Sequence, residues 1–106
     1  SGGDAGEEFL KEMFGGRQQT YFKTSQGRRF VGQLAGRTAH ESKVGYVAAT
    51  DFIKKQAAKD AELLATKQVD EVVWHFFRSA DTQKIGPSAP LKKLLEDYGI
   101  KVVIYE

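Results

Sequence analysis

Residues 71–77, EVVWHFF, form a nearly continuous run of apolar and strand-favouring side chains. A strand with one solvent-exposed face would alternate apolar and polar residues, whereas an unbroken apolar run is typical of a strand that is covered on both faces. Covering both faces of a sheet requires a packed layer on each side of it. This run therefore predicts an α/β fold in which helices flank the sheet.

The other elements follow from hydrophobic spacing and from turn residues. GEEFLKEMF at residues 6–14 has helical spacing, and QTYFKTS, RRFVGQL and TAHESKVGY predict three sequential antiparallel strands, a β-meander. Thr50 is placed to cap a long helix over residues 51–66, and Pro90 lies near the start of a shorter helix that Gly99 ends. IKVVIY is the final strand. The order α-β-β-β-α-β-α-β predicts a mixed β-sheet flanked by helices, with the last two strands parallel.

Length and composition limit the classes of protein that remain. The chain has 106 residues and no cysteine, and 41% of its residues are hydrophobic. This length fits one domain, which we assign to residues 6–106, with residues 1–5 as a linker end or cloning remnant. Without cysteine there is no disulfide, thiolate zinc site or cysteine nucleophile, so a metal would need oxygen ligands. No apolar run reaches the roughly 18 residues of a transmembrane helix, so the isolated domain is predicted not to contact a membrane.

Positive charge is concentrated in the middle of the chain. Residues 17–59 carry nine Lys or Arg against two acids, whereas the remainder carries seven against twelve. Such a basic block suggests a phosphate-bearing partner, although it is also typical of an ordinary solvated surface. Around a cleft these side chains would hold a phosphate backbone without reading bases. The candidates are Lys23, Arg28, Arg29, Lys54, Lys55 and Lys59.

Glu41 and Lys43 lie two residues apart in the third predicted strand, so both side chains leave the same face of the sheet. A carboxylate binds hard divalent cations, and an adjacent ammonium can stabilise the charge that develops during phosphodiester hydrolysis. E-x-K is also common by chance, and an exposed salt pair is the alternative. His40 is expected on the opposite face as a packed or hydrogen-bonded histidine, and His75 is interpreted in the same way.

Two polar residues, Gln56 and Asp60, fall within the apolar arc of the long helix. Burying either side chain without a partner would cost roughly 1–3 kcal/mol, so both are predicted to reach polar groups, water or a cleft. They are therefore candidates for a site beside Glu41. The alternative is a slightly shifted helix in which Asp60 pairs with a surface lysine.

Several segments together resemble a known family. GEEFL, TYFKTSQGRRFV, AHESKVGY, QAAKDAELL, VVWHFF and GPSAPLKKLLEDYGIKVVIY are similar to segments of the restriction-endonuclease-fold toxin domains at the C-termini of bacterial polymorphic toxins. Those domains resemble the wider PD-(D/E)xK nuclease superfamily, whose core is a helix, a β-meander that carries an acid and an E-x-K, a helix and further strands. The resemblance implies a restriction-endonuclease-like core, in agreement with the order of elements.

The resemblance also implies roles for individual residues. Glu41 would be a metal ligand, Lys43 the catalytic lysine and the backbone carbonyl of Ser42 a further ligand. Glu7, in the first helix, and Gln56, in the helix after E-x-K, match the remaining polar positions of the site. The implied cofactor is Mg²⁺ or Mn²⁺.

Position 32 departs from the family pattern. The family has an aspartate where RRFVGQL has Gly32, and this aspartate is the acid that the resemblance places on the metal. Its loss would leave the site short of negative charge, and a glycine also weakens a strand. Gly32 therefore indicates an inactivated form, natural or engineered, unless Asp60 or Glu7 supplies the missing ligand.

The function implied by the resemblance is that of a metal-dependent nuclease toxin that hydrolyses DNA in competing bacteria. Such a domain would be delivered as part of a larger secreted toxin, act in the cytoplasm of the target cell and be neutralised in its producer by a cognate immunity protein. Two alternatives remain open. One is an RNA-cleaving toxin of the same fold that acts on tRNA, and the other is a catalytically dead domain that binds nucleic acid or protein.

Overall fold

A computed structural model describes residues 2–106 of the chain. Three helices flank a five-stranded sheet, and two further short strands pair with each other. In chain order, the elements are α1 (Gly2–Phe14), β1 (Arg17–Thr24), β2 (Gly27–Ala35), β3 (Thr38–Val44), β4 (Tyr46–Val47), α2 (Asp51–Ala65), β5 (Glu71–Phe77), β6 (Gly86–Pro87), α3 (Ala89–Asp97) and β7 (Lys101–Tyr105). None of the helices within residues 2–106 is long and apolar enough to cross a membrane.

The sheet has the strand order β1-β2-β3-β5-β7. Strands β1, β2 and β3 form the antiparallel meander, and β5 then pairs in parallel with β3 and β7 in parallel with β5. The chain passes through α2 between β3 and β5 and through α3 between β5 and β7, as parallel neighbours require. The predicted α/β class, with a mixed sheet flanked by helices and a parallel last pair, is confirmed.

Strand β5 lies in the interior, with five consecutive buried positions from residue 72 to residue 76. One face of the sheet packs against α2 and α3, whose Leu63, Leu91 and Leu95 join Trp74 in a single apolar core. The other face is covered by α1, which contacts β3 and β2. The unbroken apolar run of β5 is therefore explained by helices on both sides.

The two helices on the core side begin at side-chain caps. The Thr50 hydroxyl accepts a hydrogen bond from the Ile53 amide at 3.3 Å, and the Ser88 hydroxyl accepts one from Leu91 at 3.2 Å. Pro90 occupies the first turn of α3, where an absent N–H leaves no bond unmade. The caps fix the start of α2 and thereby the height of Gln56 and Asp60 above the sheet.

Helix α1 begins at Gly2, four residues before its predicted start at residue 6. Residues 2–5 thus belong to the helix instead of forming a linker, and Ser1 lies outside the described residues. The acid Asp4 lies in the first turn, where the helix dipole favours negative charge. Gly6 brings the helix close to β3, because a Cβ at this position would overlap the hydroxyl of Ser42.

The third strand ends at Val44, two residues earlier than the pattern TAHESKVGY predicts. Gly45 has a φ of 82°, a conformation that residues with side chains rarely adopt, and it turns the chain out of the sheet. The next residues form β4, which pairs in parallel with β6. Strands of two residues are too short to show any hydrophobic period.

Candidate active site

A cleft of about 290 Å³ is walled by β2 and α2, with single residues contributed by α1, β1 and β3. Four positions that the sequence nominates for catalysis or metal binding meet there. The full lining is Glu7, Gln19, Arg28, Arg29, Phe30, Gly32, Glu41, Phe52, Gln56 and Lys59. The structure thus brings Glu7, Gly32, Glu41 and Gln56 to one place.

Glu41 and Lys43 share the face of β3 that looks towards α2. The Lys43 Nζ donates to Gln56 Oε1 at 2.6 Å and lies 5.0 Å from the centre of the Trp74 ring. Burial raises the pKa of the Glu41 carboxyl and lowers the pKa of the Lys43 ammonium, although each partner's charge opposes this change. A lysine with a lowered pKa gives up a proton more readily than an exposed one, which suits a role in proton transfer.

Arg29 occupies the bottom of the cleft and is only 5% exposed. Its Nε donates to Asp60 Oδ1 at 2.8 Å, its Nη2 donates to Glu41 Oε2 at 3.1 Å and its Nη1 donates to the Phe30 carbonyl at 2.7 Å. Burial alone would lower the pKa of the guanidinium, but the two carboxylates raise it above its ordinary value. Four of its five N–H groups donate to acceptors inside the protein, which leaves Arg29 little capacity to bind a phosphate, and its contact with nucleic acid stays a prediction.

Asp60 is almost completely buried, with 1% of its surface exposed. Its Oδ1 accepts from Arg29, and its Oδ2 accepts from Arg29 at 3.2 Å and from the Trp74 indole at 2.8 Å. The expectation that this polar residue reaches other polar groups agrees with these contacts. Both oxygens of Asp60 accept hydrogen bonds and Asp60 does not line the cleft, so the geometry does not favour its predicted role as a metal ligand.

Gly32 lies on the sheet face that carries Glu41. A Cβ built at this position would stand 3.8 Å from Glu41 Oε1 and 3.5 Å from the His40 carbonyl, both of which are ordinary contact distances. Its φ is outside the left-handed region, so a residue with a side chain fits without backbone strain. An acid at position 32 would therefore point its carboxylate towards that of Glu41.

The residues present do not fit a divalent cation. Mg²⁺ and Mn²⁺ need several oxygen ligands, and charge-balancing carboxylates in particular. Glu41 is ion-paired with Arg29, and the Glu7 carboxylate accepts a hydrogen bond from Gln19 at 3.4 Å. Within residues 2–106 no group of three or more His, Cys, Asp or Glu side chains is arranged to hold a metal. The counter-charge for Glu41 comes instead from a guanidinium.

Ser42 separates the two halves of the E-x-K pattern and pairs with His75 of β5. Its side chain lies on the opposite face of the sheet, against Gly6 of α1. Ser42 does not line the cleft, and the role of its backbone carbonyl as a metal ligand stays a prediction. Nothing in its side chain contributes to the cleft.

The predicted nucleic-acid contacts separate into two groups. Arg28 and Lys59 line the cleft, and the Lys59 Nζ donates to the Arg28 carbonyl at 3.0 Å. Lys23, Lys54 and Lys55 are exposed but do not line it, and Lys54 lies 3.6 Å from the Asp51 carboxylate. Arg29 lines the cleft as well, but it is ion-paired with Glu41 and Asp60, so the remaining positive charge of this set in the cleft comes from Arg28 and Lys59.

His40 and His75 lie on the α1 side of the sheet, away from Glu41, as expected. The His40 Nδ1 and the His75 Nε2 share a hydrogen bond of 2.8 Å, and the His75 Nδ1 shares another of 2.8 Å with the Tyr105 hydroxyl. Burial lowers the pKa of both rings, that of His75 to about 4 with help from His40. Both histidines are consequently neutral at physiological pH and belong to the packing beneath α1.

Three residues that line the cleft escape the sequence analysis: Gln19, Phe30 and Phe52. Phe52 is 70% exposed and lies in the first turn of α2. Phe30 is 51% exposed in the middle of β2. The available signal is that both phenylalanines stand among charged and polar neighbours instead of in an apolar run.

No protein-family model, no curated protein and no solved structure matches this chain. The resemblance to restriction-endonuclease-fold toxin domains therefore stays a prediction. The function of the chain is therefore inferred from the cleft and its residues.

Proposed function

We propose that this domain is a nuclease of the restriction-endonuclease-like type, directed at phosphodiester bonds of nucleic acid, whose hydrolytic site is incomplete at Gly32. One observation carries the proposal. Gly32, Glu41 and Gln56 line one cleft, with open space for a carboxylate beside Glu41, and Lys43, which does not itself line the cleft, is hydrogen-bonded to Gln56. This is the arrangement of acid, E-x-K and polar helix residue that the resemblance implies.

The chain's own residues supply three of the tasks that hydrolysis needs. Lys43 places a cation where negative charge develops on the phosphate, and Gln56 fixes the position of the ammonium through its 2.6 Å hydrogen bond. Arg28 and Lys59 provide contacts to the phosphate backbone. The missing task is to hold the cofactor, which we propose to be Mg²⁺ or Mn²⁺ in a form with an acid at position 32.

The resemblance extends the proposal beyond the cleft. DNA is the favoured substrate, the domain would reach a competing bacterium as part of a larger secreted toxin, and an immunity protein would neutralise it in the producer. A glycine in place of the metal-binding acid would make the domain harmless to its own cell. The proposal therefore explains why the chain resembles a toxin domain and yet lacks the metal-binding acid of its site.

A second candidate function is a domain that binds nucleic acid or protein without cleaving it. The contacts of Arg29 favour this alternative, because the guanidinium already neutralises Glu41 and Asp60. In that case the cleft is stable as it stands, and no cofactor is needed to balance its charge.

The test is to substitute Gly32→Asp and compare the variant with Gly32→Asn, which has the same size but no charge. We expect Gly32→Asp to cleave nucleic acid with Mg²⁺ or Mn²⁺ and to stop with EDTA, while the parent chain and Gly32→Asn stay inactive. The same variant should gain thermal stability on addition of the metal, because a ligand that binds only the folded state stabilises it. This second readout does not depend on turnover.

The substrates separate the alternatives. Loss of plasmid DNA supports the DNase, and loss of tRNA from total RNA supports the RNA-cleaving alternative. If Gly32→Asp retains the parent's circular dichroism spectrum but neither cuts nor responds to metal, the nuclease proposal fails. The binding-only function would then be the better account.

A further inference from the structure

Two large aromatic side chains stand exposed in the lining of the cleft, and a third is exposed next to one of them. Phe52 is 70% exposed, Phe30 51% and Tyr21 49%. Phe30 and Phe52 line the cleft directly, and the Tyr21 ring packs beside that of Phe30 with a centroid separation of 5.8 Å. Single exposed aromatics are ordinary, but several around one concave site mark a surface that meets a partner.

Cations are interleaved with these rings. The Arg28 guanidinium lies over the Tyr21 ring, 5.2 Å from its centre, and Arg28 also lines the cleft. Lys59 lines the same cleft from α2 and is tied to β2 through the Arg28 carbonyl. The surface therefore presents flat apolar faces and positive charge side by side.

We propose that this aromatic wall, formed by Tyr21, Phe30 and Phe52 with Arg28 and Lys59, binds single-stranded nucleic acid. Unpaired bases stack on the rings, and the phosphates between them contact the two cations. The inference rests on the proposed function, because it concerns the same cleft, and it narrows the substrate class to unpaired strands.

Charge and geometry favour a single strand over a duplex. In a duplex the base faces are hidden by stacking within the helix, so exposed rings would gain nothing from it. A single strand exposes both its bases and its phosphates, which matches a surface of rings and cations. Stacking tolerates any base, because every base has a flat π-face.

The experiment measures binding separately from cleavage. Fluorescence anisotropy with the parent chain in EDTA compares a labelled oligothymidylate of about 12 nucleotides, an oligouridylate of the same length and a duplex of the same length. We expect both single strands to bind more tightly than the duplex. The deoxyribose and ribose arms show which sugar the cleft prefers.

Two substitutions at one position separate stacking from apolar contact. Phe52→Leu keeps an apolar side chain but removes the flat ring, and Phe52→Trp keeps a ring. We expect Phe52→Leu and Phe30→Leu each to weaken single-strand binding roughly tenfold, while Phe52→Trp retains it. The matched control is Tyr46→Leu, since Tyr46 is 58% exposed but lies outside the cleft.

Each result has a defined meaning. If the duplex binds as tightly as the single strands, or if Phe52→Leu and Phe30→Leu bind like Tyr46→Leu, the aromatic wall is not a stacking surface. A surface for protein docking would then be the remaining reading. The binding experiment contains no metal, so it stays valid even if Gly32→Asp fails to cleave nucleic acid. Conversely, if Gly32→Asp cleaves but the parent chain shows no preference for single strands, the nuclease proposal holds and the aromatic wall is not the binding surface.

Discussion

Arg29 decides the electrostatics of the cleft, because it is the cation that faces both Glu41 and Asp60. Two carboxylates buried without a counter-charge would each carry a large desolvation penalty. The guanidinium offsets that penalty with three hydrogen bonds to carboxylate oxygens. In a form that carries an acid at position 32, the site would hold one more negative charge, and a metal ion would have to neutralise it together with Arg29.

We predict that Arg29→Met destabilises the fold by about 3–5 kcal/mol, because it leaves buried carboxylates unpaired. The neighbouring Arg28→Met should cost less than about 1 kcal/mol, since Arg28 is exposed. Urea unfolding at neutral pH measures both. The penalty for Arg29→Met should shrink as the pH is lowered, because burial raises the pKa of the Glu41 carboxyl and a protonated Glu41 no longer needs a counter-charge. Equal losses for the two variants, or no pH dependence, would contradict this account.

The sequence shows part of this arrangement. Gln56 and Asp60 stand out because they interrupt an apolar arc, and that interruption is what predicts polar partners for them. The partner of Asp60 cannot be read in the same way, because Arg29 lies 31 residues away along the chain. Arg29 is buried between the exposed Arg28 and Phe30, but in the sequence a second arginine precedes it and two apolar residues follow it, so no apolar–polar alternation shows which side it faces.

At the scale of elements, α1 closes the sheet face opposite the cleft. Its Phe14 ring stacks on His40 at 3.9 Å between centroids, and its Phe9 ring packs edge-on against Phe77 and Tyr105 at 5.3 Å each. The hydrogen-bonded row from His40 through His75 to the Tyr105 hydroxyl runs beneath this helix. A proton added to the row would place charge under an apolar lid.

We predict that this row makes the fold sensitive to acid. The folded-state pKa of His75 is about 4, against 6.5 for the free side chain. Its contribution to stability is therefore complete above about pH 6.5 and is lost as the pH falls through 4, a loss of about 2 kcal/mol between roughly pH 7 and pH 4.5. Urea unfolding across this range should show a smaller loss for His75→Gln.

The control is Tyr105→Phe, which keeps the ring and removes the hydroxyl without removing a titrating imidazole. It should retain the acid sensitivity. Burial also lowers the pKa of His40, while Glu71 raises it, so His40 can add to the acid sensitivity of the parent chain. The contribution of His75 is therefore measured as the difference between the parent chain and His75→Gln. An unchanged pH profile for His75→Gln would place the acid-sensitive group elsewhere.

The longer elements are predictable because their signals are local. The cap at Thr50, the proline in the first turn of α3 and the apolar run of β5 each lie within their own element. The extra turn of α1 is not visible, since glycines and a single acid precede its apolar residues. Its stability comes from packing on β3, which a local pattern does not contain.

At the scale of the whole molecule, charge is distributed unevenly between the cleft and the rest of the surface. The basic block of residues 17–59 predicts a phosphate-binding region, and the fold brings only Arg28 and Lys59 of its exposed cations to the cleft. The other lysines of the block are spread over the surface by the strands and helix that carry them. The excess of positive charge is visible in the sequence, but which of these cations line the cleft is set by the fold.

We therefore predict that Arg28 and Lys59 account for most of the salt dependence when the chain binds an oligothymidylate. Each phosphate contact to a single strand contributes roughly 0.7 to the slope of log K against log salt concentration, because counterions are released. Arg28→Gln and Lys59→Gln should each reduce the slope by about this amount, whereas Lys92→Gln, an exposed change on α3, should not. Anisotropy titrations between about 50 and 200 mM salt measure the slopes. If Lys92→Gln lowers the slope as much as the two cleft variants do, binding is a property of net charge, and the cleft has no special part in it.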